Sequence, residues 1–112
     1  MAKQVLYLAK SVSASTEDCD TYTVPNGKDV TVIDFHGEAA FSASSAVKII
    51  WDSGGADTIL WAMKGSGEMP KKAAEDFPTM TGNGTKKIAL CLDNGEGSSI
   101  FMSGHVILEV ED

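Results

Sequence analysis

Turn-forming residues punctuate this sequence at short intervals, and their spacing constrains the fold more than any other feature. Glycines beside Asn or Ser recur along the chain, and the runs between them are rich in Val, Ile, Thr, Trp, Phe and Leu. Turn signals about every 8 to 12 residues, separating short β-branched and aromatic runs, are typical of an all-β sandwich or barrel. We therefore predict an antiparallel β-sandwich, jelly-roll-like, formed by a single domain over residues 1–112.

The predicted sandwich has about eight strands, and the last two show the clearest alternation. The strands span residues 3–10, 20–25, 28–36, 38–43, 46–52, 57–63, 86–92 and 99–110. Apolar residues of one parity mark the last strand: Ile100, Met102, Val106, Leu108 and Val110. One face of that strand should be buried. The Asn94-Gly95 pair predicts a hairpin that joins it to the preceding strand, because such a pair tolerates positive φ angles.

Turn chemistry predicts two further hairpins. Pro25 pre-sets φ for the first turn position and Gly27 takes the left-handed conformation, which predicts a hairpin around them. The turn at 52–57 joins two alternating runs as another hairpin. Beyond Gly27, the apolar parity changes at Ile33, which predicts a bulge there or a strand covered on both faces.

One segment, residues 69–78, is predicted to form a short helix inside a long loop from 64 to 85. Pro70 suits the first helical position and Pro78 prevents continuation. Apolar residues recur every four positions along the segment and would share one helical face. Loops of this length in compact domains often bind partners or form interfaces.

Charge and hydropathy exclude several classes of function. The chain has 16 acidic residues and 9 basic ones, all lysine, for a net charge of −7. This charge repels phosphate backbones, and without arginine bidentate phosphate contacts are absent, so we expect no nucleic-acid partner. No apolar run approaches the roughly 20 residues that span a bilayer. The apolar stretch at 5–9 is too short for a signal-peptide core, so we expect synthesis in a cytoplasm and no membrane partner.

The two cysteines, Cys19 and Cys91, lack the Cys-x-x-Cys spacing of redox or zinc sites. In a cytoplasmic protein both are expected to be reduced thiols. A disulfide between them is the alternative.

Signatures of catalysis and metal binding are weak, so we predict a protein that is not an enzyme and that has no cofactor. The sequence has no Gly-x-Ser-x-Gly nucleophile elbow and no cysteine in a recognisable catalytic context. His36, Glu38 and His105 could bind a metal only if the strands brought them together, and we predict no metal site. The acidic turns at 52–57 and 93–96 could hold Ca²⁺, but neither has EF-hand spacing, and solvation explains them more simply.

Trp51 and Trp61 each have two interpretations. Tryptophan buries a large area, so both are expected to anchor the core. Alternatively, one of them is exposed and forms a platform that stacks on a sugar or on another subunit.

Residues 22–33, with the sequence YTVPNGKDVTVI, resemble the Tyr-x-Val-Pro-x-Gly-Lys entry hairpin of small β-sandwich virion proteins of tailed bacteriophages. That group includes capsid decoration and tail-associated proteins. Residues 84–94 resemble the final hairpin of such sandwiches. The resemblance covers about a third of the chain, and similar hairpins occur in lectin-like and adhesion modules.

The resemblance implies a non-enzymatic structural subunit of a virion, made in the host cytoplasm. Its expected partners are further copies of itself, in a homotrimer or another symmetric oligomer, and virion proteins such as the major capsid or tail protein. Six apolar residues are candidates for the contact surface, with a core position as the alternative for each: Val5, Tyr7, Leu8, Met69, Phe77 and Met80. A carbohydrate-binding or adhesion module is the alternative function, with Trp51 and Trp61 as its candidate ligand-binding residues.

Overall fold

A computed structural model describes residues 2–39, 44–64, 67–69 and 74–111 and places them in two antiparallel sheets. The strands are β1 (Ala2–Val12), β2 (Thr16–Thr23), β3 (Asp29–Ala39), β4 (Ser45–Trp51), β5 (Thr58–Lys64), β6 (Gly67–Met69), β7 (Met80–Thr81), β8 (Lys87–Asn94) and β9 (Ile100–Val110). One sheet has the order β1-β9-β3-β7 and the other the order β2-β8-β4-β5-β6. The prediction of an all-β antiparallel sandwich is confirmed.

The strand pairing follows a nested pattern. β1 pairs with β9, β2 with β8, β3 with β7 and β4 with β5, so the two halves of the chain form one long two-stranded ribbon. Successive pairs of this ribbon belong alternately to the first and the second sheet. A ribbon rolled in this way is the jelly-roll arrangement.

Two of the three predicted hairpins are wrong, and the rolled ribbon explains both errors. Gly27 has a φ of 76°, as its turn requires, but β2 and β3 on either side belong to different sheets. The turn between β8 and β9 likewise crosses from one sheet to the other. Turn chemistry reverses the chain locally and does not decide which sheet the next strand joins. The turn at 52–57 closes the end of the ribbon, and the hairpin of β4 and β5 is confirmed.

The predicted bulge in the third strand is confirmed, because the register of β3 against β9 shifts between Val32 and Asp34. The strand predicted over 38–43 is not separate in its described part, since residues 38 and 39 continue β3. Residues 40–43 lie outside the described residues.

The predicted short helix is not present in the described part of 69–78. Met69 ends β6, and Ala74–Asp76 form a single 3₁₀ turn, while 70–73 lie outside the described residues. A segment of this length is shorter than the roughly 12–15 residues that an isolated helix needs to be stable. Its Phe77 packs edge-on against Phe35, with ring centres 4.9 Å apart. Nowhere in the described ranges is a helix long and apolar enough to cross a membrane.

The core lies between the two sheets and contains the even-numbered apolar residues of β8 and β9. These residues are Ile88, Leu90 and Leu92 on one side and Met102, Val106, Leu108 and Val110 on the other. Trp61 of β5 is buried among them and meets the edge of Phe35 at 4.9 Å between ring centres. Burial of one parity leaves the other parity of each strand pointing away from the core.

The expectation of two reduced thiols is wrong, because Cys19 and Cys91 form a disulfide. The register of β2 against β8 places the two residues directly opposite each other, with their Cα atoms 4.1 Å apart. They are 72 residues apart in the sequence, so their spacing could not indicate this pairing. The bond covalently links β2 and β8, the second strand pair of the ribbon.

Candidate interaction surface

Side chains of β1, β9 and β3 that point away from the core form a surface with apolar, aromatic and imidazole groups. Its members come from three adjacent strands: Lys3, Val5, Tyr7, Ala9 and Ser11 of β1, Phe101, Ser103, His105, Ile107 and Glu109 of β9, and Asp34, His36 and Glu38 of β3. We call this set the outer face. Val5 lies opposite Ile107, and Tyr7 lies opposite His105, so apolar groups and imidazole are adjacent at its centre.

Most large apolar side chains that are exposed in the described residues belong to these strands. Val5, Tyr7 and Phe101 on the outer face are 59%, 62% and 64% exposed. Ile33, at the bulge of β3, is also exposed, whereas Ile59 is on the other sheet. Grouping of exposed apolar residues on one face is typical of interaction sites, whereas single ones scattered over a surface need no explanation.

The two histidines of the chain meet on the outer face. His36 and His105 lie directly opposite each other on β3 and β9, with ring centres 6.1 Å apart. His36 Nε2 lies 3.0 Å from Glu38 Oε1, and His105 Nε2 lies 3.2 Å from Asp34 Oδ2. Each imidazole therefore has its own carboxylate partner. The pairing of β3 with β9 brings together two histidines that are far apart in the sequence.

Charge is divided across the outer face. The β1 row has Lys3 and no acidic residue, whereas the β3 row has Asp34 and Glu38. Apolar Val5 and Tyr7 lie on the basic side. One edge of the face is thus apolar and weakly basic, and the opposite edge is acidic.

The surface of the other sheet has a different character. Lys48 Nζ lies 2.6 Å from Glu17 Oε2 and 3.2 Å from Asp93 Oδ2. Burial, the largest single influence, lowers the pKa of Lys48, but its hydrogen bonds and charge attraction to Glu17 and Asp93 together raise that pKa above its usual value. This ion triad lies beside the disulfide, since Lys48 is opposite Cys91. It stabilises the sheet by tying three strands together.

The candidate contact residues from the sequence are found in different environments. Val5 and Tyr7 are exposed on the outer face, while Leu8 is partly buried against the core. Phe77 and Met80 are buried in the core, so their core alternative holds in this chain. The side chain of Met69 lies outside what the structure describes.

Neither tryptophan is a fully exposed platform. Trp61 is 1% exposed, and its Nε1 has no hydrogen-bond partner among the described residues. Trp51 is partly buried and packs against the same core. Trp61 is therefore a core residue, and a sugar-stacking surface would depend on the partly covered Trp51 alone.

One carboxylate of each acidic turn bonds within the protein. Asp57 Oδ1 accepts a hydrogen bond from Gly54 N at 3.1 Å, and Asp93 pairs with Lys48. Within the described ranges, one trio of potential metal ligands lies within 4.8 Å of one another: Glu17, Cys19 and Cys91. Its two sulfur atoms are bonded to each other, so the trio is not a metal site in this state.

Sequence reasoning missed Phe101 and Ile107 as surface residues. Both have the parity opposite to the buried residues of β9, so the alternation that predicted the core could also have predicted that their side chains point away from it. Their position beside Val5 and the histidines depends on the pairing of β1 and β3 with β9, which local patterns do not contain.

The sequence was compared with protein-family models and with curated proteins. It matches no family model and no curated protein at a significant level.

Proposed function

We propose that this protein is a non-enzymatic assembly subunit that associates with a second copy of itself through the outer face. The observation that carries the proposal is the grouping of exposed Val5, Tyr7 and Phe101 on one face of one sheet. Association buries apolar and aromatic area and leaves charged groups at the rim, as in protein–protein interfaces generally.

The division of charge favours a second copy as the occupant. When two outer faces meet about a two-fold axis parallel to β9, the β1 row of one copy lies over the β3 row of the other. The strand registers place Tyr7 over His36 of the partner and Lys3 one residue pair from Asp34 of the partner, within reach of its long side chain. The same contact occurs twice, because a two-fold interface uses one patch on both subunits.

Sedimentation equilibrium tests the proposal with matched variants. The unmodified chain is expected to show a mass above 11.8 kDa that rises with concentration. The double variant Val5→Ser/Tyr7→Ser is expected to shift toward the monomer, whereas Ile59→Ser, which removes an exposed apolar side chain from the other sheet, leaves the distribution unchanged. A protein that is monomeric at every concentration, or one in which both variants behave alike, would contradict the proposal.

We propose further that the assembly is a virion, with the chain as a capsid decoration or tail-associated subunit made in the host cytoplasm. The jelly-roll sandwich is compatible with this role, and jelly rolls occur in viral capsids. The hairpin resemblance at 22–33 is the second support. Mass spectrometry of purified phage particles tests this part separately. If the protein self-associates but is absent from the particles, the virion role is contradicted and the proposal of self-association stands.

A further inference from the structure

We propose that His36 and His105 form a surface site for one transition-metal dication of the zinc, nickel and copper class. The two Nδ1 atoms are the protein ligands, and Glu38 and Asp34 orient the rings. Both histidines lie on the outer face, so the site shares the surface proposed for self-association, but its test measures zinc binding and not association.

The orientation of the rings supports this assignment. Each imidazole has Nε2 within hydrogen-bond distance of a carboxylate, at 3.0 Å for His36 and 3.2 Å for His105. Because a carboxylate accepts and does not donate, Nε2 carries the proton in each neutral ring and the Nδ1 lone pair is available. Metal-binding histidines usually donate their second N–H to a carboxylate or carbonyl in this way.

The separation of the rings also fits. Residues directly opposite on antiparallel strands have Cβ atoms about 4.5–5.5 Å apart, which is close enough for both side chains to reach one ion. With metal–nitrogen distances of about 2.0–2.1 Å and tetrahedral angles, two imidazole centres would be about 5 Å apart. The observed centres are 6.1 Å apart, so a shift of the exposed rings by about 1 Å closes the site.

The donor set determines the class of ion. Imidazole nitrogen favours zinc, nickel and copper, whereas calcium and magnesium prefer oxygen ligands. The negative charge of the chain and the two adjacent carboxylates attract a cation to this face. In the free chain, two protein ligands leave the remaining coordination positions to water, so the ion would be exchangeable there.

Isothermal titration of ZnCl2 into the disulfide-bonded chain tests the site, with CaCl2 as the comparison ion. One zinc per chain is expected to bind with a dissociation constant below about 1 mM, and calcium is expected not to compete. His36→Gln and His105→Gln should each weaken binding by at least about tenfold, and Glu38→Ala by about tenfold through the loss of ring orientation. Glu109→Ala, which removes the same charge from the same face, should leave the affinity unchanged.

Imidazole nitrogen NMR provides a second readout that does not depend on affinity. Zinc is expected to shift the Nδ1 resonances of His36 and His105 and to leave Nε2 protonated. Since the chain has two histidines, these signals report on this site alone. Binding that survives either histidine substitution, binding weakened equally by Glu109→Ala, or the absence of saturable zinc binding would each overturn the proposal.

Discussion

Gly37 and Gly104 lie directly opposite each other on β3 and β9, and together they leave the space that Val47 of the facing sheet fills. A methyl group on Gly37 would lie 2.9 Å from Val47 Cγ1, and one on Gly104 would lie 3.1 Å from the same atom. The two sheets approach closely at this point, next to the histidine pair in the sequence. Glycine is required here for space and not for a positive φ angle.

The substitution Gly104→Ala is expected to destabilise the protein by about 1–3 kcal/mol, because it overfills a packed core. Gly37→Ala should have an effect of similar size. Urea unfolding followed by circular dichroism measures both. Gly97→Ala is the matched control, since nothing lies within 4 Å of its added methyl group, and it should be neutral. Equal stability of all three variants would contradict the packing described.

Reduction of the disulfide is expected to lower the free energy of unfolding by about 2–4 kcal/mol, because the bond closes a long loop and restricts the unfolded chain. Unfolding midpoints with and without dithiothreitol measure this. The variant Cys19→Ala/Cys91→Ala should be insensitive to the reductant and resemble the reduced protein. Detection of two free thiols in air-oxidised protein would show that the bond does not form.

The substitution Lys48→Met is expected to destabilise the protein by about 1–2 kcal/mol at neutral pH, since it leaves Glu17 and Asp93 opposite each other without a cation. Partial exposure of both carboxylates keeps the loss below the cost of breaking a fully buried pair. Lys64→Met, at an exposed site on the neighbouring strand, should change stability little. Thermal unfolding of the three proteins measures the difference.

The contribution of Lys48 should also depend on pH. Its pKa is raised in the folded state, so its stabilising effect is complete below the unfolded-state pKa of about 10.4 and is lost as pH rises through the folded-state pKa. The stability difference between the unmodified protein and Lys48→Met should therefore be constant from neutral to mildly alkaline pH and shrink above it. A difference that grows with pH would contradict this assignment.

Tryptophan fluorescence is expected to distinguish the two indoles. Trp51→Phe leaves only the buried Trp61, which should emit at short wavelength and resist quenching by acrylamide. Trp61→Phe leaves only the partly buried Trp51, which should be quenched more readily. Equal quenching of the two variants would contradict the burial of Trp61, and with it the argument against that indole as a sugar platform.

The sequence predicted the sandwich correctly because alternation and turn residues are local signals. The buried parity of β9, the bulge at Ile33 and the hairpin at 52–57 all follow from short stretches of residues. The sheet membership of β2 and β3 does not, since the same Gly27 turn can close a hairpin or cross between sheets. The helix prediction failed because spacing over ten residues does not outweigh the short length of the segment.

The candidate sites depend on contacts between distant parts of the chain. Pairing of Cys19 with Cys91 and of His36 with His105 is set by strand register, which no local pattern records. Val5 and Tyr7 are exposed and their role in contacts stays a prediction, but Phe77 and Met80 are buried because the chain before β7 packs onto β3.

Ala2 and Val110 lie directly opposite each other on the paired strands β1 and β9, which form one end of the ribbon. A short peptide linker would therefore join them without disturbing the sheets, and a new opening at 52–57 would preserve every strand pair in a circularly permuted chain. By the same geometry, a tag fused beside either residue would emerge at one corner of the sandwich.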